Sequence, residues 1–509
     1  MAGWKDLRSF RQTSWNLGLA IIVMALSVFS FGFDNSVFSN IQAMDAYEKK
    51  FGSYDPQTKE WGFTAQHLAF LNALGLPAKC VGALLGGFIA ERFGRRVSYI
   101  AMQFIVIAGI AVCYSAKNYG GALAGRIIVQ LFVGWDNFLV PMFLAEISPT
   151  ALRGAIVVVY VFAHLLGSLI CSFVTLRTAK YAGDSSWQVP LGSMFTFPFF
   201  VLVFCWFIPE SPRWLVRKGK HAHAVRQLRW LRAPFLSEED AEVEVSHLQQ
   251  SIDQDHETKG RWSDFLQGNN PRRLRIAIAV AILNQVTGQS FMSQYGAIFI
   301  KSLKTISPFT FSSIAIGITC IGPIITFSLV DTIGRRIFYL GSGSACVVVL
   351  FICGGLGTGN VSTSDKTGIV AVCAMFGFFY IMSFGGMGAV TAAEVPNLRL
   401  RDKSALVVAF MQFIFDFIVT FTLPYLLDAG EANLQSKVGF IYGACGLIGL
   451  VWAYFYLPDM TGRSLEELEE MFAAKVPARA FRKWKSNSST ITNEPTKITT
   501  YAKADPENI

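Results

Sequence analysis

Glu91-Arg92-Phe93-Gly94-Arg95-Arg96 and Asp331-Thr332-Ile333-Gly334-Arg335-Arg336 are two short charged loops in an otherwise strongly apolar chain. The second begins 240 residues after the first, in a chain of 509. A basic, glycine-containing loop that occurs once per half predicts a duplicated membrane protein made of two similar bundles. Solute carriers are often built this way, because one repeat can rock against the other around a central site.

The composition agrees. Hydrophobic residues make up 52% of the chain and charged residues 16%, with 44 phenylalanines. A soluble globular domain carries about 25% charge. With a mean hydropathy of +0.41, a protein that crosses the lipid bilayer many times is the expected class. The formal charge is +9. In a soluble chain that would raise nucleic acid as a partner. Here the basic residues lie beside apolar runs, where they set topology, so no nucleic-acid partner is expected. The nine cysteines all fall inside apolar runs without paired spacing, and read as small buried hydrophobes, not as disulfides or a metal site. The first apolar run is too long for a cleavable signal peptide and is expected to remain as a span.

Apolar runs long enough to cross a bilayer fall at 15–37, 66–90, 97–116, 121–145, 155–178 and 190–208, then at 274–300, 309–330, 337–356, 368–393, 404–427 and 437–457. The expected fold is all-α, with twelve transmembrane helices in two six-helix bundles, 1–208 and 274–457. A linker over 209–273 joins them, and 458–509 forms a tail. Arg92, Arg95, Arg96, Arg153, Arg335, Arg336, Arg399, Arg401 and Lys403 fall in loops on one side, together with the basic linker. The positive-inside rule puts that side and both termini in the cytoplasm. Within the linker, Ser237-Glu238-Glu239-Asp240 reads as a helix start, and Ala241, Val245, Leu248 and Ile252 follow as an apolar stripe. Ser464-Leu465-Glu466-Glu467 repeats the capping pattern. The tail beyond about 475 is rich in Ser, Thr, Asn and Lys and is expected to be disordered.

Several motifs occur in order: Gly87 to Arg96; Gly125-Arg126; Glu146-Ile147-Ser148-Pro149 with Arg153-Gly154; Pro209-Glu210-Ser211-Pro212-Arg213-Trp214-Leu215; Asp331 to Arg336; Glu394 with Arg401; and Pro458-Asp459 followed by Gly462 to Glu467. With them the chain resembles the sugar-porter branch of the major facilitator superfamily, most closely its fungal members, over about 15–475. Glu146 to Arg153 and Glu394 to Arg401 share a spacing of seven, 248 residues apart. Each half thus brings acids and bases (Glu91, Arg92, Arg95, Arg96, Glu146, Arg153, Glu210 and Arg213; Asp331, Arg335, Arg336, Glu394 and Arg401) to the same helix ends. An ion-pair network there is expected to act as a cytoplasmic gate, closed when the protein opens outward. Thr332 stands where the family usually has arginine, which implies a thinner second network.

An ionisable group inside the bilayer is costly, and is a functional candidate by default. Asp34 and Arg126 fall in the outer part of the first and fourth spans. Lys79, Asp136, His164 and Asp416 fall near midplane. All lie on spans that surround the cavity in the resembled fold. The resemblance places Asp34, in Gly32-Phe33-Asp34, at the coupling-acid position of proton-driven sugar porters and Arg126 at its partner position. A carboxylate keeps its charge beside an arginine and takes up a proton when the arginine is withdrawn, so the pair is expected to handle the coupled proton. Lys79 and Asp136 are expected to form a midplane ion pair, because each charge alone would cost several kcal/mol. The pair reads as structural, cargo-binding or a second proton site, with His164 able to join it. Asp416 has no evident cation in its own half.

The family's sugar-binding residues carry over incompletely. The usual glutamine on the fifth span reads Val161, and the usual span-ten tryptophans read Phe384 and Ala389. On span seven the pattern reads Asn284-Gln285, Ser290 and Gln294-Tyr295, with Gly288 available to break the helix. Asn284, Gln285, Ser290, Gln294, Tyr295 and Phe384 are the expected cargo contacts. Lost aromatic and amide groups imply a wider pocket than one for hexose, suited to a glycoside, a polyol or a less polar metabolite. The resemblance implies a monomeric secondary transporter at the plasma membrane, importing a sugar or sugar-like small molecule with protons. Export of a secondary metabolite, or nutrient sensing without transport, are the alternatives. No nucleotide loop, metal cluster or nucleophile–histidine set occurs, so neither enzyme activity nor a cofactor is expected.

Overall fold

Among the described residues of the computed structural model, twelve helices are long and apolar enough to cross a membrane. The structure describes residues 14–484 apart from 57–58, 150–152, 235, 259, 360, 429 and 462–464, and leaves undescribed a few side chains within that range, among them those of Arg153 and Asp331. The spans are Trp15–Ile41, Ala65–Phe93, Arg95–Ser115, Tyr119–Ile147, Val159–Thr178 and Ser185–Phe207, then Asn270–Ser293, Pro308–Val330, Arg335–Leu356, Thr363–Gly388, Lys403–Leu427 and Gln435–Tyr456. They are called spans 1 to 12 below.

Local chemistry sets several boundaries. Asn118 caps span 4 by accepting from the Gly121 amide at 2.9 Å. A reciprocal Ser362–Asp365 cap starts span 10, earlier than the apolar run alone implies. Span 7 is interrupted at Gly288, whose φ is +89°, a conformation that glycine adopts without steric cost, and continues as Gln289–Ser293. The chain then turns and resumes as a separate helix, Gly296–Leu303.

Within the first half, span 1 packs on span 5, and spans 2 and 3 pack on span 4; in the second, span 9 packs on spans 10 and 12, and span 7 on span 11. Each half has its own apolar core. One contains Met24, Tyr99, Phe132, Trp135 and Phe143. The other contains Phe291, Tyr339, Leu350, Phe384 and Leu423. Phe104, Phe199, Val348 and Ile448 stand outward from spans 3, 6, 9 and 12, as lipid-facing side chains do.

The linker helices Pro212–Arg217, His221–Arg232 and Glu238–Thr258 form a small cluster through Trp214, Leu228, Ala241, Val245 and Ile252. Ser237 caps the third of them, accepting from the Asp240 amide at 3.1 Å. Ser464 lies outside the described residues, but the helix Leu465–Ala473 is present. It docks under span 7: Arg273 donates to the Leu468 carbonyl at 3.2 Å and its guanidinium lies 4.4 Å from the Phe472 ring. On the opposite face, a helix (Asp45–Phe51) and a two-stranded hairpin (Ser53–Asp55 with Glu60–Gly62) precede span 2. Tyr47 and Phe51 pack there on Trp187, and Lys50 pairs with Asp184 at 2.7 Å.

Candidate functional site

Span 1 and span 4 bring Asp34 and Arg126 together. One Arg126 nitrogen donates to both Asp34 oxygens, at 2.9 and 3.1 Å. Asp34 is fully buried. The Phe38 ring lies 4.0 Å from the guanidinium carbon, and the Gln130 amide oxygen, in the orientation that satisfies its neighbours, accepts from Arg126 at 2.6–3.2 Å. Arg126 is therefore held by a carboxylate, an amide and an aromatic face at once.

Arg126 also lines a cavity of about 70 Å³ between the halves. Asn35, Phe38 and Ser39 contribute from span 1, and Asn72, Leu76 and Lys79 from span 2. Gln130 joins from span 4, Gln289, Ser293 and Gln294 from span 7 and its exit, and Asp416 from span 11. The lining is mostly amide and hydroxyl, with three charged groups. Lys79 and Asp416 come from opposite halves and line the same cavity. Asp416 also accepts from Ser290 at 3.0 Å and Thr420 at 3.2 Å.

The expected Lys79–Asp136 pair does not form. Gly134 sits against the backbone of Lys79, so closely that a Cβ there would lie 1.9 Å from the Lys79 carbonyl oxygen. Asp136 is two residues further on, about 200° around the helix. It faces span 1 instead, accepting from Ser27 at 2.5 Å. Trp135 donates to Ser98 at 2.9 Å. Nor does His164 join Lys79: its ring packs on Phe31, 4.5 Å between centroids.

Of the span-7 candidates, Gln294 lines the cavity and Ser290 reaches it through Asp416. Tyr295 is buried, donating to the Thr420 carbonyl at 2.9 Å. Asn284 and Gln285 do not line the cavity. Asn284 donates to the Phe384 carbonyl at 2.9 Å, and Gln285 donates to the Asn284 side chain at 2.8 Å. Phe384 is not among the cavity residues. A π-helical turn at Ile381–Gly385 rotates its ring onto span 9, where it meets Tyr339 edge-on at 5.5 Å.

On the linker face each half builds its own network. Arg95 grips Glu146 with two hydrogen bonds of 2.7 and 2.8 Å, both side chains nearly buried. Glu210 accepts from the amides of Arg95 (2.7 Å), Ser211 (2.9 Å) and Arg96 (3.3 Å). Burial raises the Glu210 carboxyl above its ordinary value, and these amide bonds oppose the rise. Gly94, at φ +108°, lets the chain turn beneath that carboxylate. In the second half Gly334 turns at φ +100°, Arg335 pairs with Glu394, and the Arg335 amide donates to Thr461, whose hydroxyl donates to Asp459. Arg336 donates to the Tyr454 carbonyl at 2.5 Å. Glu91, Arg92 and Arg401 are exposed. Arg213 lies in the first linker helix, and the side chains of Arg153 and Asp331 lie outside the described residues. Glu146 and Glu394 are thus joined to the loop arginines of their own halves.

Polar bridges between the halves gather on the hairpin face. Lys301 pairs with Asp45 at 2.6 Å and Glu48 at 2.7 Å. Ser312 donates to Asn40 at 2.9 Å, and the Ala65 amide donates to Asp428 at 3.2 Å. Span 2 packs on span 11, and span 5 on span 8. Sequence reasoning missed Asn35, Ser39, Asn72, Gln130 and Gln289 in the cavity. Gln130 carried one signal, since it falls one turn after Arg126 on the same helix face.

Residues 19–472 match the profile of the family described as "Sugar (and other) transporter". The chain is 25% identical over 469 residues to the "General alpha-glucoside permease" of Saccharomyces cerevisiae, covering 90% of this chain and 76% of the permease. It is 27% identical over 489 residues to the "Major facilitator-type transporter ecdD" of Aspergillus rugulosus, covering 91% and 89%. It is 28% identical over 482 residues to the "High glucose sensor RGT2" of Saccharomyces cerevisiae, covering 91% of this chain and 61% of the sensor. The fold matches the MFS proton:xylose symporter XylE bound to 6-bromo-6-deoxy-D-glucose with a TM-score of 0.72 at 23% identity, over 90% of this chain and 100% of that one.

Proposed function

The chain belongs to the sugar transporter family, and on that premise we propose that it imports a sugar or sugar-like solute together with a proton by alternating access. It is a multi-pass membrane protein of the major facilitator fold, in a family of transporters and not of enzymes. Its excess of Lys and Arg on the linker face puts that face in the cytoplasm, at the plasma membrane in this reading. On this reading the bridges on the hairpin face lie on the outer side and support an inward-facing arrangement. Each chain supplies its own cavity and works as a monomer. An outward-facing state would part those bridges and close the helix ends around Gly94–Arg96 and Gly334–Arg336 on each other.

The Asp34–Arg126 pair carries the proton-coupling part of this reading. Its acid is buried beside the cavity, and its arginine forms part of the cavity wall. A solute hydroxyl that draws Arg126 or Gln130 toward itself weakens the hold on Asp34, which then favours the protonated carboxyl. Loading of solute and of proton are thereby linked. The amide-rich lining suits hydroxyl groups. The rotation of Phe384 away from the cavity removes an aromatic wall and favours a cargo larger than a hexose, such as a glycoside.

Uptake of a labelled panel of hexoses, disaccharides, glycosides and polyols, in yeast lacking hexose transport, tests the proposal at pH 5 and pH 7. Asp34→Asn should abolish uphill, pH-driven accumulation while leaving solute exchange at equal concentrations measurable. Unchanged accumulation by the variant refutes proton handling at Asp34. A cytoplasmic growth signal without uptake of any solute would instead support the sensing role held by one relative.

A further inference from the structure

A second and larger cavity, of about 440 Å³, lies outside the transport path, on the linker face of the first half. Arg96, at the start of span 3, and Trp206, at the end of span 6, form one wall. His223, Arg226 and Trp230 of the linker helix His221–Arg232 form the other. The residues lining it carry two arginines and a histidine and include no acid. Arg96 is held in place by the Trp206 carbonyl, to which it donates at 2.9 Å, and its guanidinium carbon lies 5.4 Å from the Trp206 ring. Only one of its five N–H donors is used in that bond. Trp206 is 71% exposed, at the end of a membrane span, where tryptophan marks the headgroup level of a bilayer. The linker helix is tied to the start of span 1 by Asn16, which donates to the Trp230 carbonyl at 2.8 Å.

We propose that this cavity binds the phosphate headgroup of an anionic glycerophospholipid from the adjoining leaflet. The headgroup phosphodiester lies between Arg96 and Arg226, and the acyl chains run along span 6 past the exposed Phe207 and Phe199. Three observations carry this assignment: an uncompensated cationic lining, an open volume suited to a headgroup, and an interfacial tryptophan at its mouth. Basic pockets at this level of a membrane protein recognise anionic headgroups through their charge. An occupant bridges span 3 to the linker helix and thereby braces the connection between the two halves. Because the site is separate from the solute cavity, the proposal stands or falls independently of the transport reading.

The test uses the full-length protein in detergent, with thermal unfolding and native mass spectrometry during titration with phosphatidylserine or phosphatidylcholine. Phosphatidylserine should be retained preferentially and should raise the unfolding midpoint. The double variant His223→Gln/Arg226→Gln should weaken that retention at least five-fold, while Arg226→Lys should keep most of it. Arg229→Gln is the control on the same helix, since Arg229 pairs with Glu238 at 2.6 Å and does not line the cavity. Equal retention of the two lipids, or unchanged retention by the double variant, overturns the proposal. The same stabilisation from soluble glycerol phosphate at equal concentration overturns the lipid as its source.

Discussion

Replacing Gly94 by alanine should destabilise the protein far more than the equivalent change at Gly334, although the two glycines occupy matching places in the repeat. Both have positive φ, +108° and +100°, so either alanine incurs backbone strain of about 1–3 kcal/mol. The surroundings then separate them. A Cβ at Gly94 would lie 2.3 Å from a Glu210 carboxylate oxygen, whereas at Gly334 the nearest atom, an Asp459 oxygen, is 3.4 Å away. The second is ordinary contact. The first displaces the oxygen that meets the Arg96 amide at 3.3 Å, and the carboxylate must shift against the bonds its other oxygen makes to the amides of Arg95 and Ser211, at 2.7 and 2.9 Å. A hydrogen bond to a charged group contributes about 1.5–3 kcal/mol, so losing one of these adds about 2 kcal/mol to the strain. For a bundle of this size each kcal/mol moves the midpoint by about 2–4 °C, and Gly94→Ala should melt about 4–8 °C below Gly334→Ala. Detergent-solubilised variants scanned at one heating rate would show it, since unfolding of such proteins is governed by rate. The cycle closes with Glu210→Ala. In that background the added cost of Gly94→Ala should fall to the strain alone and match Gly334→Ala. Equal midpoints for the two glycine variants, or a cost of Gly94→Ala that persists without Glu210, would refute the reasoning.

The Glu210 carboxyl also sets a pH dependence. Its folded pKa lies above the ordinary 4.5 because of burial, so the folded chain takes up this proton more readily than the unfolded one. That contribution is complete below 4.5 and is lost as pH rises through the raised value. Wild type should therefore gain stability relative to Glu210→Gln as pH falls from 7 toward 5, and a constant difference in unfolding midpoint would contradict it. Lys79 and Asp416 should behave as a coupled pair across the cavity. Lys79→Met and Asp416→Asn should each cut uptake more than ten-fold, and the double variant should recover several-fold of that loss, because a charge left alone costs more than a neutral pair. Asp136→Asn should show no such coupling to Lys79→Met in the same uptake assay.

The membrane spans and the repeat were legible because they depend on features that a linear sequence carries: the length of apolar runs, glycines at fixed offsets from basic residues, and capping side chains. The Gly288 break was legible for the same reason, a backbone demand written in one residue. The second linker-face network was legible only in part. Thr332 implied a thinner set, yet the turn at Gly334 is closed by Thr461 and Asp459 from beyond span 12, just as Glu210 beyond span 6 closes the turn at Gly94.

What failed at the site failed through rotation and through distance along the chain. Lys79 and Asp136 lie on neighbouring helices at similar depth, which made them look like partners. But Gly134 is the residue that faces span 2, and a helix turns about 100° per residue, so Asp136 is carried to the far side of span 4. Depth alone therefore does not make a pair; the residue that lets two helices touch fixes which side chains can meet. Phe384 shows the same limit from within one helix. A single π turn shifts the register of span 10, and no 3.6-residue periodicity drawn through the apolar run anticipates it. The acid that shares a cavity wall with Lys79, Asp416, is 337 residues away in the other half, where the docking of spans 2 and 11 brings it in. Such a pair is also the kind that rocking must disturb. Charges within one bundle travel together as the halves move, whereas Lys79 and Asp416 are carried by different bundles. In the proposed cycle their separation changes with the access state, and a solute held between them would set what that change costs.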